Sequence, residues 1–322
     1  AWLYRKTITI DFNQVGTDLT NFPLLVDISD ADLDLGAQLD GSDIFFTGDD
    51  GTTKLYHELV AYSAGDLTAW VRVLNLSSST DTVVYMYYGN ATPPANLDAA
   101  GVWDANYVMV QHLDEDSGTH FDATSYLNDS NEEIVTDPTA QGWISGADEF
   151  NGSTDYVRVP DAASLQFGEG SLTVEAWINP VSTITDTGGV RIANNRGTGI
   201  GGSYAGWQFK IKNETGNWRF SDTGIDDGAL PYEPYEGSAT YPYNALYHVV
   251  MVYEADTELR FYVNGALDGT RALSPHGSID STLPTVIGAS IYHEGTLHAD
   301  DKQFFDGIID EVRLSNTLRS AA

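Results

Sequence analysis

The residues best suited to hold a metal ion lie far apart in the chain. Asp122-Ala-Thr-Ser-Tyr-Leu-Asn128 places two hard oxygen donors, Asp122 and Asn128, on one loop. Asp310, in Ile309-Asp310-Glu311-Val312, places a carboxylate in a strand-like segment with apolar neighbours. Ca2+ takes six to eight oxygens from carboxylates and carbonyls, so calcium is the ion such donors would select. The competing assignment is structural, with Asp122 capping a turn and Asp310 accepting a hydrogen bond from a loop. Glu311 and Arg313 share a face with Asp310 only in part, because neighbouring strand residues point to opposite sides.

Other spellings fail on context. Asp30-x-Asp32-x-Asp34 begins like an EF-hand loop, but its sixth position is Leu35 and its twelfth is Gly41, where that loop needs Gly and Glu. It reads instead as a helix start, with Asp30 as N-cap and two acids in the first turn. Gly197-Thr-Gly199-Ile-Gly201-Gly202 matches the dinucleotide fingerprint, yet a β pattern follows it where a helix N-terminus must meet the pyrophosphate. The chain has no Gly-x-Ser-x-Gly elbow, and its seven histidines form no His-Glu-x-x-His. No catalytic set is therefore expected.

Aromatic residues carry the remaining signal. Leu230-Pro231-Tyr232-Glu233-Pro234-Tyr235-Glu236-Gly237 runs into Tyr241-Pro242-Tyr243-Asn244, so four tyrosines fall in one Pro/Gly-rich loop with no strand or helix period. Flat rings against the apolar faces of pyranosides, with polar groups on the hydroxyls, make a sugar site. Tyr232, Tyr235, Tyr241 and Tyr243, with Trp207 and Trp218 on flanking strands and Tyr292-His293 on a late loop, are the candidate ligand contacts. The alternative is a loop that folds back and buries its own rings. Trp2, Trp70, Trp177 and Phe261 read as core.

The elements that must position these residues are strands. Period-2 or apolar runs rich in Val, Ile, Tyr and Thr recur from Leu3–Ile10 to Ile308–Leu314, bounded by Gly, Asp, Asn and Ser. Tyr247–Tyr253 and Leu259–Val263 flank Glu254-Ala-Asp256-Thr-Glu258, which makes that acidic segment a hairpin turn. Ala31–Leu39 alone looks helical. With 322 residues and 42% hydrophobic content, the chain holds material for sizeable cores. The Pro93-Pro94 break predicts two all-β sandwich domains, 1–103 and 104–322, joined near 91–105.

Fifteen Lys and Arg against 47 Asp and Glu give a net charge of −32. Such a surface repels nucleic acid and anionic lipid and tolerates divalent cations. No run is long and apolar enough to span a bilayer, and the first residues carry no basic, apolar leader. The absence of cysteine excludes disulfides and thiolate chemistry.

Two segments resemble known families. Trp2-Leu3-Tyr4-Arg5-Lys6, Asn21-Phe22-Pro23-Leu24-Leu25-Val26, Asp40-Gly41-Ser42-Asp43-Ile44-Phe45-Phe46, Ala69-Trp70-Val71-Arg72-Val73 and Tyr85-Met86-Tyr87-Tyr88-Gly89-Asn90 resemble a domain of unknown function found in secreted prokaryotic proteins. His112-Leu113-Asp114-Glu115-Asp116-Ser117-Gly118, Phe150-Asn151-Gly152-Ser153, Ser171-Leu172-Thr173-Val174-Glu175-Ala176-Trp177-Ile178 and Phe305-Asp306-Gly307-Ile308-Ile309-Asp310-Glu311-Val312-Arg313-Leu314 resemble a laminin-G-like, concanavalin A-like jelly-roll. That resemblance implies a module for glycans or proteins, frequently with calcium, and first and last strands that pair, which would bring Asp122 toward Asp310. Jelly-roll glucanases carry Glu-x-Asp-x-(x)-Glu on a strand. Glu254–Glu258 has that spelling in a turn, where it cannot hold a proton-transfer pair. The expected function is a non-catalytic, calcium-stabilised extracellular binding module for a neutral glycan or a cell-surface protein. A self-assembling surface protein or adhesin is the alternative, and a polysaccharide-active enzyme the third.

Overall fold

The computed structural model describes residues 1–93, 99–181, 189–197, 204–221, 223–228, 234–290 and 303–319. The chain divides into two compact units, the first ending at Ala105 and the second beginning at Asn106. Both are built almost entirely from antiparallel strands.

The first unit contains β1 (Tyr4–Ile10), β2 (Leu19–Ser29), α1 (Ala31–Gly36), β3 (Phe45–Gly48), β4 (His57–Ser63), β5 (Asp66–Leu76) and β6 (Thr82–Tyr88). Its sheets are three-stranded, ordered β1-β6-β3 and β2-β5-β4. Val26, Phe46, Leu67, Val71, Val84 and Met86 form the core between them. Each such side chain contributes about 1.5–3 kcal/mol on burial. Pro23 sits in an edge strand, where its missing N–H breaks no ladder. Asp30 caps α1, its carboxylate accepting from the Asp32 and Leu33 amides. Asp43 is fully buried. One of its oxygens accepts from the Gln38 amide at 2.8 Å, and the other from the Gly89 and Asn90 amides at 2.6 and 2.8 Å.

The second unit begins with β7 (Tyr107–Gln111), β8 (Glu132–Ile134), β9 (Asp137–Gln141), β10 (Gly146–Asn151), β11 (Tyr156–Val159) and β12 (Leu172–Pro180). Next come β13 (Val190–Asn194), β14 (Gly206–Glu214), β15 (Asn217–Phe220), β16 (Gly224–Asp226) and β17 (Tyr241–Pro242). It ends with β18 (Tyr247–Glu254), β19 (Glu258–Val263), β20 (Ala266–Ala272), β21 (Thr285–Ile287) and β22 (Asp306–Ser315). One sheet runs β20-β19-β18-β12-β22-β10-β9, with β7 also on β22. The other runs β17-β15-β14-β13-β21-β11-β8, with β16 on β14. The last strand thus pairs with the first, β7, as the jelly-roll resemblance implied.

Alternation decides which residues enter the core. Leu172, Val174, Ala176 and Ile178 of β12 face Trp207, Phe209 and Ile211 of β14 across the sandwich, while Thr173, Glu175 and Trp177 take the outer face. Glu254 and Glu258 close the β18–β19 hairpin as expected, with Asp256 at φ 56° in the turn.

One irregularity matters for the site. Across β12 and β22, Glu175 faces Arg313 and Trp177 faces Asp310, so Glu311 and Val312 both fall opposite Ala176. This bulge puts Glu311 at φ 53°, a left-handed backbone that costs a non-glycine residue about 1–2 kcal/mol.

Candidate aromatic and ion-pair site

The row Asp310–Trp177–His248 crosses β22, β12 and β18 on the outer face of the larger sheet. Over it lies Trp143, from the turn joining β9 to β10. Its ring stacks on Trp177 with centroids 5.5 Å apart and planes at 24°, and Trp177 meets the His248 ring at 5.0 Å. Trp143 remains 59% exposed. Asp310 explains why that exposed ring is held. Its Oδ2 accepts from the Trp143 amide at 2.7 Å and the Ile144 amide at 3.2 Å, which pins the turn down, and Ile144 is buried beside it. Gly142 permits the close approach, since a Cβ there would lie 2.6 Å from Asp310 Oδ2.

The next row carries buried charge. His248 Nε2 donates to Glu175 Oε2 at 3.2 Å, and Arg313 Nη1 lies 3.9 Å from Glu175 Oε1. Arg313 also forks onto Glu311 Oε2 through Nε at 3.1 Å and Nη2 at 2.5 Å, and His112 Nδ1 donates to Glu311 Oε1 at 2.7 Å. Burial pushes both glutamates up, but their cationic partners outweigh it and hold Glu175 and Glu311 below the usual carboxylate range. Burial and the adjoining Glu311 charge push Asp310 up to about 7, against the pull of the two amides. Its Oδ1 meets no hydrogen-bond donor among the described residues. The arrangement is a half-exposed indole shelf backed by fixed charge.

The structure does not unite the proposed calcium donors. Asp122 caps its own loop, with Oδ1 taking the Val110 and Thr124 amides and Oδ2 taking the Thr124 hydroxyl and Asn128 amide. Asn128 donates to Val108 O and Ser164 Oγ. Asp310 serves the Trp143 turn instead. No group of three or more His, Asp or Glu side chains able to hold a metal occurs among the described residues.

The described tyrosines of the loop pack onto the sandwich. Tyr235 stacks on Phe261 at 4.2 Å, Tyr241 stacks on Trp218 at 4.7 Å, and Tyr243 is buried. The hydroxyls of Tyr235 and Tyr241 each donate to one oxygen of Asp268 at 2.7 Å. Trp207 and Trp218 are wholly buried between the sheets, because their strand positions share parity with core residues. These rings are therefore packing residues, and the expectation that they contact ligand is corrected. Tyr232, Tyr292 and His293 lie outside the described residues. Tyr235→Phe removes one bond to a charged acceptor, worth about 1.5–3 kcal/mol, and should lower the melting temperature of this unit by several degrees. Calorimetry of the variant checks this, and an unchanged transition would return the loop to the surface.

Trp177, expected in the core, sits on the polar face. Its parity with Glu175 carries that signal in the sequence. Trp143 lies in Gln141-Gly142-Trp143-Ile144-Ser145-Gly146, an aromatic in a small-residue turn, which is the same cue that drew attention to the tyrosines.

Comparison with known proteins bears on the whole arrangement. Residues 151–322 match the concanavalin A-like lectin/glucanases superfamily, in its laminin G type, and residues 40–131 match a domain of unknown function (DUF2341). A search of curated proteins found no match. Similar solved structures include the binding domain of Paraclostridial Mosquitocidal Protein 1, at 16% identity and TM-score 0.47, covering 67% of this chain and 50% of that one. The botulinum neurotoxin serotype D ligand binding domain in complex with N-acetylneuraminic acid is similar at 16% identity and TM-score 0.48, covering 70% and 50%. The chain thus spans about half the length of those proteins. With its sandwich, its pairing of first and last strands and its matched second unit, the chain belongs to the concanavalin A-like lectin/glucanases superfamily, preceded by a domain of unknown function.

Proposed function

We propose that the second unit is an extracellular carbohydrate-binding module whose sugar platform is Trp143 stacked on Trp177. The observation that carries this reading is an indole 59% exposed whose turn is fixed by two backbone N–H hydrogen bonds donated to a buried aspartate. A ring that is both rigid and wet gives stacking area at small entropic cost, which suits the apolar face of a pyranoside. With a net charge of −32, the chain favours a neutral glycan over an acidic one.

The test is retardation of the intact chain in gels containing neutral polysaccharides, followed by a glycan array. Trp143→Ala should weaken binding at least about tenfold, the loss expected for an aromatic hot spot. Its melting temperature should stay nearly constant because most of the ring is in water. Binding should persist in EDTA, since the shelf uses rings and hydrogen bonds. Retention by Trp143→Ala equal to the parent would refute the platform.

A further inference from the structure

The first unit carries a surface of a different kind. Leu39 is 97% exposed, Leu35 85% and Leu3 72%, and Tyr4 is exposed beside them. The segments that carry them meet at one corner. A Cβ on Gly36, next to Leu35, would stand 3.1 Å from the Tyr4 ring, and one on Gly89 would stand 3.1 Å from Leu3 Cβ. Gln38, next to Leu39, donates its side chain to Asn90 O at 2.8 Å. Asp43 holds this corner rigid, its buried carboxylate tying the Gln38 amide on one side to the Gly89 and Asn90 amides on the other. A chain that commits a buried charge to fixing a turn, and then points a leucine from that turn into water, is displaying the leucine. Scattered exposed leucines are ordinary, whereas four apolar side chains on one fixed corner mark a contact surface.

The rim identifies the partner. Asp32, Asp34 and Asp40, sequence neighbours of Leu35 and Leu39, are exposed. The nearby cation Lys6 is held by Asp30 at 2.5 Å and Asp32 at 3.0 Å. An apolar centre with an acidic border complements an apolar segment with a basic border. A second copy would set acid against acid, and an anionic lipid surface would be repelled. We infer that the Leu3–Tyr4–Leu35–Leu39 corner docks a polypeptide segment bearing apolar residues flanked by lysine or arginine. This role is independent of the glycan shelf on the second unit.

The experiment titrates the full chain with a synthetic amphipathic Leu/Lys peptide and with its Leu/Glu counterpart, read by calorimetry at low and physiological salt. The Leu/Lys peptide should bind saturably and more weakly as salt rises, and the Leu/Glu peptide should not bind. Leu35→Ser combined with Leu39→Ser keeps every charge, so an affinity loss of at least about tenfold assigns the binding to the corner. Both side chains are in water, so the melting temperature should hold. Unchanged affinity in that variant would overturn the inference, because generic attraction to an acidic surface would then suffice. Equal binding of the Leu/Glu peptide would also overturn it, as would parent-only dimerisation in light scattering or co-sedimentation with lipid vesicles.

Discussion

Arg313→Met is expected to lower the melting temperature of the second unit by about 10 °C. Removing one member of a buried ion pair costs about 3–5 kcal/mol, because the partner left behind keeps its charge without solvent. For a unit of this size each kcal/mol shifts the transition by about 2–4 °C. Here two carboxylates lose their common cation. Glu311 retains only His112 among its bonded partners, and Glu175 retains His248. Glu311 is almost wholly buried with its carboxylate between His112 and Arg313, so water cannot take the place of the lost guanidinium. Arg313→Lys should recover part of the loss, because an ammonium restores the charge but not the fork onto Glu311 Oε2. Adding Glu311→Gln to Arg313→Met should also recover stability, as coupled neighbours do in a double-mutant cycle. Additive losses would show that the two residues act separately.

The same cluster shows what was legible in the sequence. Alternation in Leu172–Ile178 identified a strand and its core face, and Asp30 identified a capped helix, because both are local patterns. Asp310 stood out as a carboxylate among apolar neighbours, which is a sound reason to expect a special role. Its role depends on amides 167 and 166 residues away, and no local pattern reports such a partner. The tyrosines present the reverse case. Their loop lacks a period, so composition favoured the surface, yet Asp268 and Phe261 on the adjoining hairpin bury them. Parity already placed Trp177 with Glu175, and the general preference of tryptophan for interiors overrode it. The bulge at Glu311 was not legible, because neither Gly nor Asn marks its left-handed position.

The stability of the second unit should be greatest near pH 5 and fall toward pH 9, because Asp310 and His120, together with the buried Asp122 and Asp148, titrate above their ordinary values. Asp310 has an ordinary value of 3.8 and stands at about 7 when folded. Below 3.8 it is protonated in both states and contributes nothing. As pH rises to about 7 the unfolded chain ionises first, so the folded state progressively loses about 4 kcal/mol at the 1.4 kcal/mol per unit of linkage. His120 adds to the slope over a later window. Its Nδ1 faces Gly118 O at 2.9 Å and its Nε2 faces Asp148 Oδ2 at 2.7 Å, so both nitrogens donate and the ring is an imidazolium. Burial lowers it, but the Asp148 hydrogen bond and charge outweigh that and raise it from 6.5 to about 9. Its stabilisation is complete below 6.5 and lost as pH rises through 9. Glu175 and Glu311, held below their ordinary value of 4.5, work in the opposite sense and withdraw support only as pH falls below that value. Asp310→Asn separates the contributions. The amide oxygen still accepts from Trp143 and Ile144, and the charge that burial penalises is gone. The variant should therefore melt higher than the parent at pH 8, by a smaller margin at pH 5, converge on it toward pH 4, and keep the glycan shelf intact. A loss at both pH values would show that the charge of Asp310 is required.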